Sequence, residues 1–154
     1  MIDSLKLTVI PAITALAIFA AADTALAQDT RRHVTADAVD IYYGFLPAEV
    51  ADRRTAAHDA APMHGRARRG DYHLMIALYD KGGERITDAN VSATVGELGM
   101  AGARKTLEPM VIGDTITFGN HFPMRSQAQY RIAIEIRLPR AARPIEARFD
   151  YQHR

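Results

Sequence analysis

The sequence contains no cysteine and no tryptophan, and the first of these absences excludes several classes of protein. Without thiols the chain forms no disulfide, even in an oxidising compartment, so its stability depends on core packing. A blue-copper centre, an iron–sulfur cluster and a cysteine nucleophile are also excluded, because each needs a cysteine thiolate. The soft metal ligand that remains available is the thioether of methionine.

An excess of charge of one sign is also lacking, since 19 basic and 18 acidic residues give a formal net charge of +1. This balance does not support a nucleic acid or a membrane surface as a partner. After residue 28, serine occurs only as Ser92 and Ser126, and neither lies in a nucleophile elbow. Zinc-protease, phosphate-loop and dinucleotide-binding motifs are missing from the sequence. We therefore predict that the protein is not an enzyme.

Residues 1–27 have the order of regions that is typical of a secretory signal peptide. Lys6 precedes the apolar run LTVIPAITALAIFAA, and the small residues ALA come directly before Gln28. The apolar run is short for a membrane span and is interrupted by a proline. We expect cleavage before Gln28, export to the periplasm and a single domain over residues 28–154. An uncleaved N-terminal anchor is the alternative.

From Tyr72 onward, apolar and polar residues alternate with the period of two that is typical of β-strands. The clearest case is QYRIAIEIRL, in which every second residue from Tyr130 to Leu138 is apolar. Frequent glycine and proline turns separate the strand patterns, and residues 47–60 fit either a short helix or a loop. We predict an all-β fold, an immunoglobulin-like antiparallel sandwich of about seven strands. The predicted strands include AVDIYYGFL, YHLMIALY, VSATV, TITF, IEARFDY and KTLEPMVI, the last broken by Pro109.

Histidine and methionine occur close together at several points of the chain, in PMHG, YHLM and NHFPM, and LEPM adds a methionine after a proline. On the predicted strand, His73 and Met75 share the face opposite the core, and residues two apart lie roughly 7 Å apart. Imidazole suits copper, zinc and iron, whereas a thioether favours Cu(I), so a mixed set without cysteine indicates copper. The candidate ligands are His73, Met75, Met110, His121, Met124, Met63 and His64.

A structural role is the alternative for each of these residues taken separately. Methionine fills irregular gaps in cores, and a single strand histidine is more often a surface or core residue than a ligand. We expect the other histidines, His33, His58 and His153, to be solvated, because they lie near the termini or in a loop.

The order of the motifs resembles the periplasmic high-affinity iron-transport family. The matching stretches are VDIYYGFLPAEV, PMHG, YHLMIAL, LEPM, TFGN and YRIAIEIRLP, which together cover residues 39–139. The resemblance implies a copper-binding immunoglobulin-like sandwich that works beside an inner-membrane iron permease. A looser resemblance, to the YtkA-like domains of copper-related operons, implies the same fold.

The resemblance assigns ligand roles to two residues and breaks at two others. His73 matches the strand histidine of the family, and Met110 matches its methionine ligand. Met75 replaces the glutamate of the family's HLE motif, and Thr117 replaces the histidine of its HYG motif, with His121 as the nearby substitute. Loss of the carboxylate makes iron a poorer fit than copper.

These patterns together predict an exported protein that binds copper, as Cu(I) or Cu(II), through His73, Met75 and Met110. His121 and Met124 are further candidates, and Met63 with His64 would form a flap over the site. The predicted role is metal handover or accessory work in iron or copper uptake, with an inner-membrane metal permease or a second copy of the chain as partner.

The alternative is a metal-free immunoglobulin-like module that docks on a membrane complex through a sheet edge or through Tyr42, Tyr43 and Phe45. Proximity of His73 and Met110 in the fold would favour the metal site. Their placement on opposite sheets would favour the docking module.

Overall fold

The alternating segments of the sequence form antiparallel strands in the computed structural model, which describes residues 32–51 and 68–154. A helical turn at 48–51 follows the second strand. Within the described residues, no helix has the length and apolar character needed to cross a membrane. The strands are β1 His33–Ala36, β2 Val39–Pro47, β3 Asp71–Asp80, β4 Arg85–Ile86, β5 Asn90–Glu97, β6 Ala103–Ile112, β7 Thr115–Pro123, β8 Gln129–Arg137 and β9 Ile145–Gln152.

The strands form one hydrogen-bonded path in the order β1-β2-β3-β7-β6-β5-β8-β9, and β4 pairs with β3. The path passes from one sheet to the other at β6. The first half of β6 pairs with β5, and its second half, from Glu108, pairs with β7. Sheet A therefore contains β1 to β4, β7 and the second half of β6, and sheet B contains β5, β8, β9 and the first half of β6. The central order of sheet A and the order β5-β8-β9 match the ABED and CFG sheets of an immunoglobulin fold. The all-β sandwich that the sequence predicts is thus confirmed.

The core lies between the two sheets and consists of the alternate apolar residues of their inner faces. In β3, Leu74, Ile76 and Leu78 are completely buried, as the period of two in the sequence predicts. The alternate isoleucines of β8 meet them from sheet B. Because successive side chains point to opposite faces of a strand, His73 and Met75 lie on the face of sheet A that is turned away from sheet B.

Tyrosine side chains connect parts of the sandwich at two points. At the start of β8, the Arg125 N–H donates to the hydroxyl oxygen of Tyr130 at 2.6 Å, which is the arrangement of a tyrosine corner. Tyr43 of β2 stacks on Phe149 of β9 with ring centroids 4.2 Å apart, which joins the two sheets at one side.

The structure differs from the predicted organisation in two details. Strands β1 and β4 are additional to the predicted ones; they have four residues and two residues, too few to show a period. Pro109 does not break β6, which continues to Ile112 while it changes its partner strand. Most of 47–60 and the predicted signal peptide lie outside the described residues, so cleavage and the domain boundary stay predictions.

Candidate metal centre

Two histidines face each other across the central strands of sheet A. The register of β3 and β7 places His73 directly opposite His121. Their ring centroids are 4.8 Å apart in an edge-on arrangement. His73 is 5% exposed and His121 is 6% exposed. Cross-strand partners share one face of a sheet, so both imidazoles lie on the face turned away from the core. Both histidines were candidate ligands from the sequence, but their direct pairing follows only from the strand register.

Met110 reaches the same place from β6, because Gly119 has no side chain. A Cβ atom at Gly119 would lie 2.5 Å from Nε2 of His73 and 2.6 Å from Cε of Met110. Since both distances are measured from one point, the imidazole nitrogen and the thioether methyl are at most about 5 Å apart. The missing side chain of Gly119 therefore makes the room in which the imidazole and the thioether meet. The sequence motif TFGN contains this glycine, but the motif alone does not reveal its neighbours.

Met75 lies beside this group, between two glycines of the neighbouring strands. The register pairs Met75 with Gly44 on β2 and with Gly119 on β7. Its Cε atom is 3.8 Å from the position of a Cβ at Gly44, so the end of the side chain lies toward β2. Met75 is half-buried and shares its face with His73.

Glu108 is a residue of this face that the sequence analysis did not single out. It is half-buried and lies opposite Gly119 in the register of β6 and β7. The motif LEPM contains it, two residues before Met110, and two residues along a strand share a face. Among the described residues, no group of three or more His, Asp or Glu side chains is arranged to hold a metal ion. The candidate site is therefore a mixed one of imidazoles and thioethers.

Positive charge borders the site at two points. Arg85 of β4 donates a hydrogen bond of 3.0 Å to the hydroxyl of Thr117, the residue opposite Met110 in the register. Lys105 Nζ donates to the backbone carbonyl of His121 at 2.6 Å. Thr117 is the residue that replaces an expected histidine ligand in the family resemblance, and its hydroxyl is engaged by the guanidinium.

Of the remaining candidate ligands, the structure describes only Met124, which is not part of this group of residues. Met124 is buried in the hydrophobic core, which lies on the other face of sheet A, and its amide donates to the Gly70 carbonyl at 3.1 Å. Met63 and His64 lie outside the described residues, so their role as a flap stays a prediction.

The expectation that His153 is solvated was wrong. Its residue is 5% exposed, with its ring edge-on to Tyr72 at a centroid distance of 4.2 Å and stacked on Tyr151 at 6.2 Å. This burial lowers the pKa of His153 from its ordinary value of 6.5. His33 is half-buried, and its Nε2 lies 3.1 Å from the carboxylate of Asp40. His58 lies outside the described residues.

Two carboxylates away from the site have shifted pKa values. The hydroxyl of Thr35, and then the ring of His33, hold the pKa of Asp40 below its usual value by hydrogen bonding. Hydrogen bonds from two arginines, Arg104 first, lower the pKa of Glu135 on sheet B. Both groups are ion-paired surface carboxylates, so their pKa values reflect local pairs and not a functional centre.

The fold is that of an immunoglobulin-like sandwich with a histidine and methionine group on the outer face of one sheet. No protein-family model matches the chain, and no curated protein matches it in sequence. Solved structures do match. A copper-bound variant of FetP from uropathogenic Escherichia coli strain F11 is 19% identical, with a TM-score of 0.61 over 79% of this chain and 93% of that one.

Two further matches have the same fold. The copper-reconstituted P19 protein of Campylobacter jejuni is 13% identical, with a TM-score of 0.60 over 79% of this chain and 92% of that one. A DUF4426 family protein of Pseudomonas aeruginosa PAO1 is 13% identical, with a TM-score of 0.55 over 78% and 94%. At these identities the likeness establishes the fold, and at that level it confirms the resemblance seen in the sequence.

Proposed function

We propose that this chain is an exported copper-binding protein that holds the ion at the group formed by His73, His121, Met110 and Met75. The observation that carries the proposal is the convergence of His73 and Met110 on Gly119, with His121 directly opposite His73. These residues come from three strands and are far apart in sequence. Their convergence is what a ligand set requires, and it is the arrangement that distinguishes the metal site from the docking module.

The chemistry of the donor set supports copper. Imidazole binds Cu(I) and Cu(II), and thioethers favour Cu(I). Iron is the poorer fit, because the two side chains that converge on Gly119, those of His73 and Met110, offer nitrogen and sulfur, and Met75 stands where the family motif has a glutamate. The names of two similar structures, those of FetP and P19, describe copper-bound proteins. Among the described residues, Glu108 lies on the same face opposite Gly119, and its carboxylate would add an oxygen ligand there.

Handover of the metal, rather than its permanent storage, fits the exposure of the ligands. The two histidines are buried on central strands, whereas Met110 is half-buried on β6 beside the exposed residues Val111 and Ile112. A thioether at this border is the ligand that an incoming acceptor reaches first. The acceptor that we propose is an inner-membrane metal permease, and the signal-like residues 1–27 support work outside the cytoplasm.

The docking module has less support from the same residues. Phe45 is buried and packs on Tyr151 with ring centroids 4.5 Å apart, and Tyr43 stacks on Phe149. Only Tyr42 of the three aromatic residues is exposed, and it stacks on His33. The segment therefore serves mainly to join β2 to β9.

The proposal is tested by titrating the exported protein, stripped of metal, with Cu(I) under anaerobic conditions against a competing chelator. We expect one ion per chain, and a loss of affinity of at least about tenfold in His73→Ala and in Met110→Leu, since each removes one ligand. Met100→Leu is the matched control, because Met100 is exposed on the connection between β5 and β6. Affinity that is equally weak in all four proteins would overturn the copper assignment.

A further inference from the structure

At one end of the site, strand β4 takes the place of β7 beside β3, and Arg85 of β4 forms hydrogen bonds to β7. The two long strands pair directly only as far as Ile76 and Phe118. Beyond that point β3 pairs with β4, in which Arg85 is the partner of Tyr79. Because β3 no longer reaches it, the carbonyl of Ile116 on β7 accepts hydrogen bonds from Nε and Nη2 of Arg85 instead, at 3.1 and 2.8 Å.

These contacts hold the guanidinium in one place, on the same face as the histidine and methionine group. Its Nη1 donates to the Tyr79 hydroxyl at 2.6 Å, and its Nη2 donates to the Thr117 hydroxyl at 3.0 Å. Thr117 is opposite Met110 and two residues from Gly119. The guanidinium is hydrogen-bonded to Thr117 and Ile116, which are two and three residues from Gly119, so at the usual strand rise it lies roughly 7–10 Å from the point where His73 and Met110 meet.

The charge of Arg85 has no carboxylate counter-ion in the part of the chain that the structure describes. The ion pairs of sheet B involve other arginines, such as Arg104 with Glu135 and Arg131 with Asp150. The partners of Arg85 are a carbonyl, two hydroxyls and the face of the Tyr79 ring at 4.8 Å. Because these groups are neutral, they do not compensate the positive charge of the guanidinium. Arginine keeps this charge at every relevant pH.

We propose that Arg85 determines the oxidation-state preference of the site by disfavouring Cu(II) relative to Cu(I), an inference that rests on the proposed copper function. A fixed positive charge repels a divalent ion more than a monovalent one at the same position. At roughly 7–10 Å, with an effective dielectric between those of a protein surface and water, one unit of charge changes the relative affinity by about tenfold. Arg85 is a specificity-determining residue in this scheme and not a ligand.

The test compares the Cu(I) and Cu(II) association constants of the wild type with those of Arg85→Gln, Arg85→Met and Arg85→Lys. Two neutral variants are used because one keeps a hydrogen-bond donor and the other keeps the aliphatic stem, and thermal unfolding identifies those that fold normally. Arg131→Gln removes the same charge from sheet B as the matched control. Each constant is measured by competition, with a Cu(I) chelator under anaerobic conditions and with glycine for Cu(II).

We expect the ratio of the Cu(I) to the Cu(II) constant to fall by about tenfold in the neutral variants. It should stay within about twofold of the wild type in Arg85→Lys, which keeps the charge, and in Arg131→Gln. If Arg85 only holds β4 and β7 together by hydrogen bonds, all three Arg85 variants lose affinity for both ions in parallel and the ratio stays constant. That result overturns the inference while the copper function stands. A wild type that binds neither ion overturns both.

Discussion

Replacing Gly119 with alanine adds one methyl group at the point where His73 and Met110 meet. The new carbon would lie 2.5 Å from Nε2 of His73, 2.6 Å from Cε of Met110 and 2.9 Å from the carbonyl oxygen of Leu74. Carbon atoms in contact are normally about 3.5–4.0 Å apart, so each side chain must withdraw by about 1 Å. The Leu74 oxygen belongs to the backbone of β3, which cannot move without disturbing its strand pairs.

The expected cost has two parts. Overpacking of this kind lowers the free energy of unfolding by about 1–3 kcal/mol, which for a domain of this size lowers Tm by roughly 3–12 °C. If His73 and Met110 are ligands as proposed, their displacement from one another should lower copper affinity by about 10- to 100-fold, the range seen when groups that orient ligands are removed. The assays are calorimetric unfolding of the metal-free protein and the anaerobic Cu(I) titration.

Gly44→Ala is the matched control, because Gly44 lies on the other side of Met75 on the same face. A Cβ there would be 3.8 Å from Cε of Met75, which is an ordinary contact. We expect unchanged copper affinity and a Tm that is equal to or slightly above that of the wild type, since alanine restricts the unfolded chain. A Gly119→Ala protein with the affinity and Tm of the wild type would refute the reasoning, and so would an equal loss in both variants.

Two further predictions concern the fold. Burial lowers the pKa of His153, so the folded state favours the neutral ring. The contribution of this ring to folding stability is complete above the pKa of the unfolded chain, about 6.5, and is lost as the pH falls below that value. Urea unfolding at pH 7.5 and 5.5 should therefore show a smaller loss in His153→Phe than in the wild type, and equal losses would contradict the assignment. Tyr130→Phe leaves the Arg125 N–H without its acceptor and should lower the unfolding free energy by about 1–3 kcal/mol. Its copper affinity should not change, and an unchanged midpoint in urea would argue against the tyrosine corner.

The sequence predicted the fold where the signal is local. The alternation of β3 and β8 depends only on which residues are apolar, and their inner faces are buried as predicted. The strand change within β6 could not be predicted in this way, because it depends on which strands β6 meets. Pro109 was interpreted as a break in the strand, and the strand continues through it.

The candidate site was predictable residue by residue but not as an arrangement. His73, Met75, Met110 and His121 were named from their chemistry and their neighbours in the chain. Their proximity depends on the register of β3 with β7, and on the empty space at Gly119, both of which are non-local. Arg85 was missed for the same reason, since its bonds to Ile116 and Thr117 span more than thirty residues of sequence.

The change of partner within β6 has a consequence for association between chains. Among the described strands, residues 108–112 pair only with β7, so their other side is an open edge, and Val111 on it is 77% exposed. An open edge can pair with a strand of another molecule. Proline is tolerated in a sheet where its nitrogen faces solvent, and because that nitrogen carries no hydrogen, Pro109 leaves this edge with one hydrogen-bond donor fewer. A strand that did pair there would lie beside Met110. If Met110 binds copper as proposed, aggregation of the protein and access of copper to this thioether depend on the same five residues.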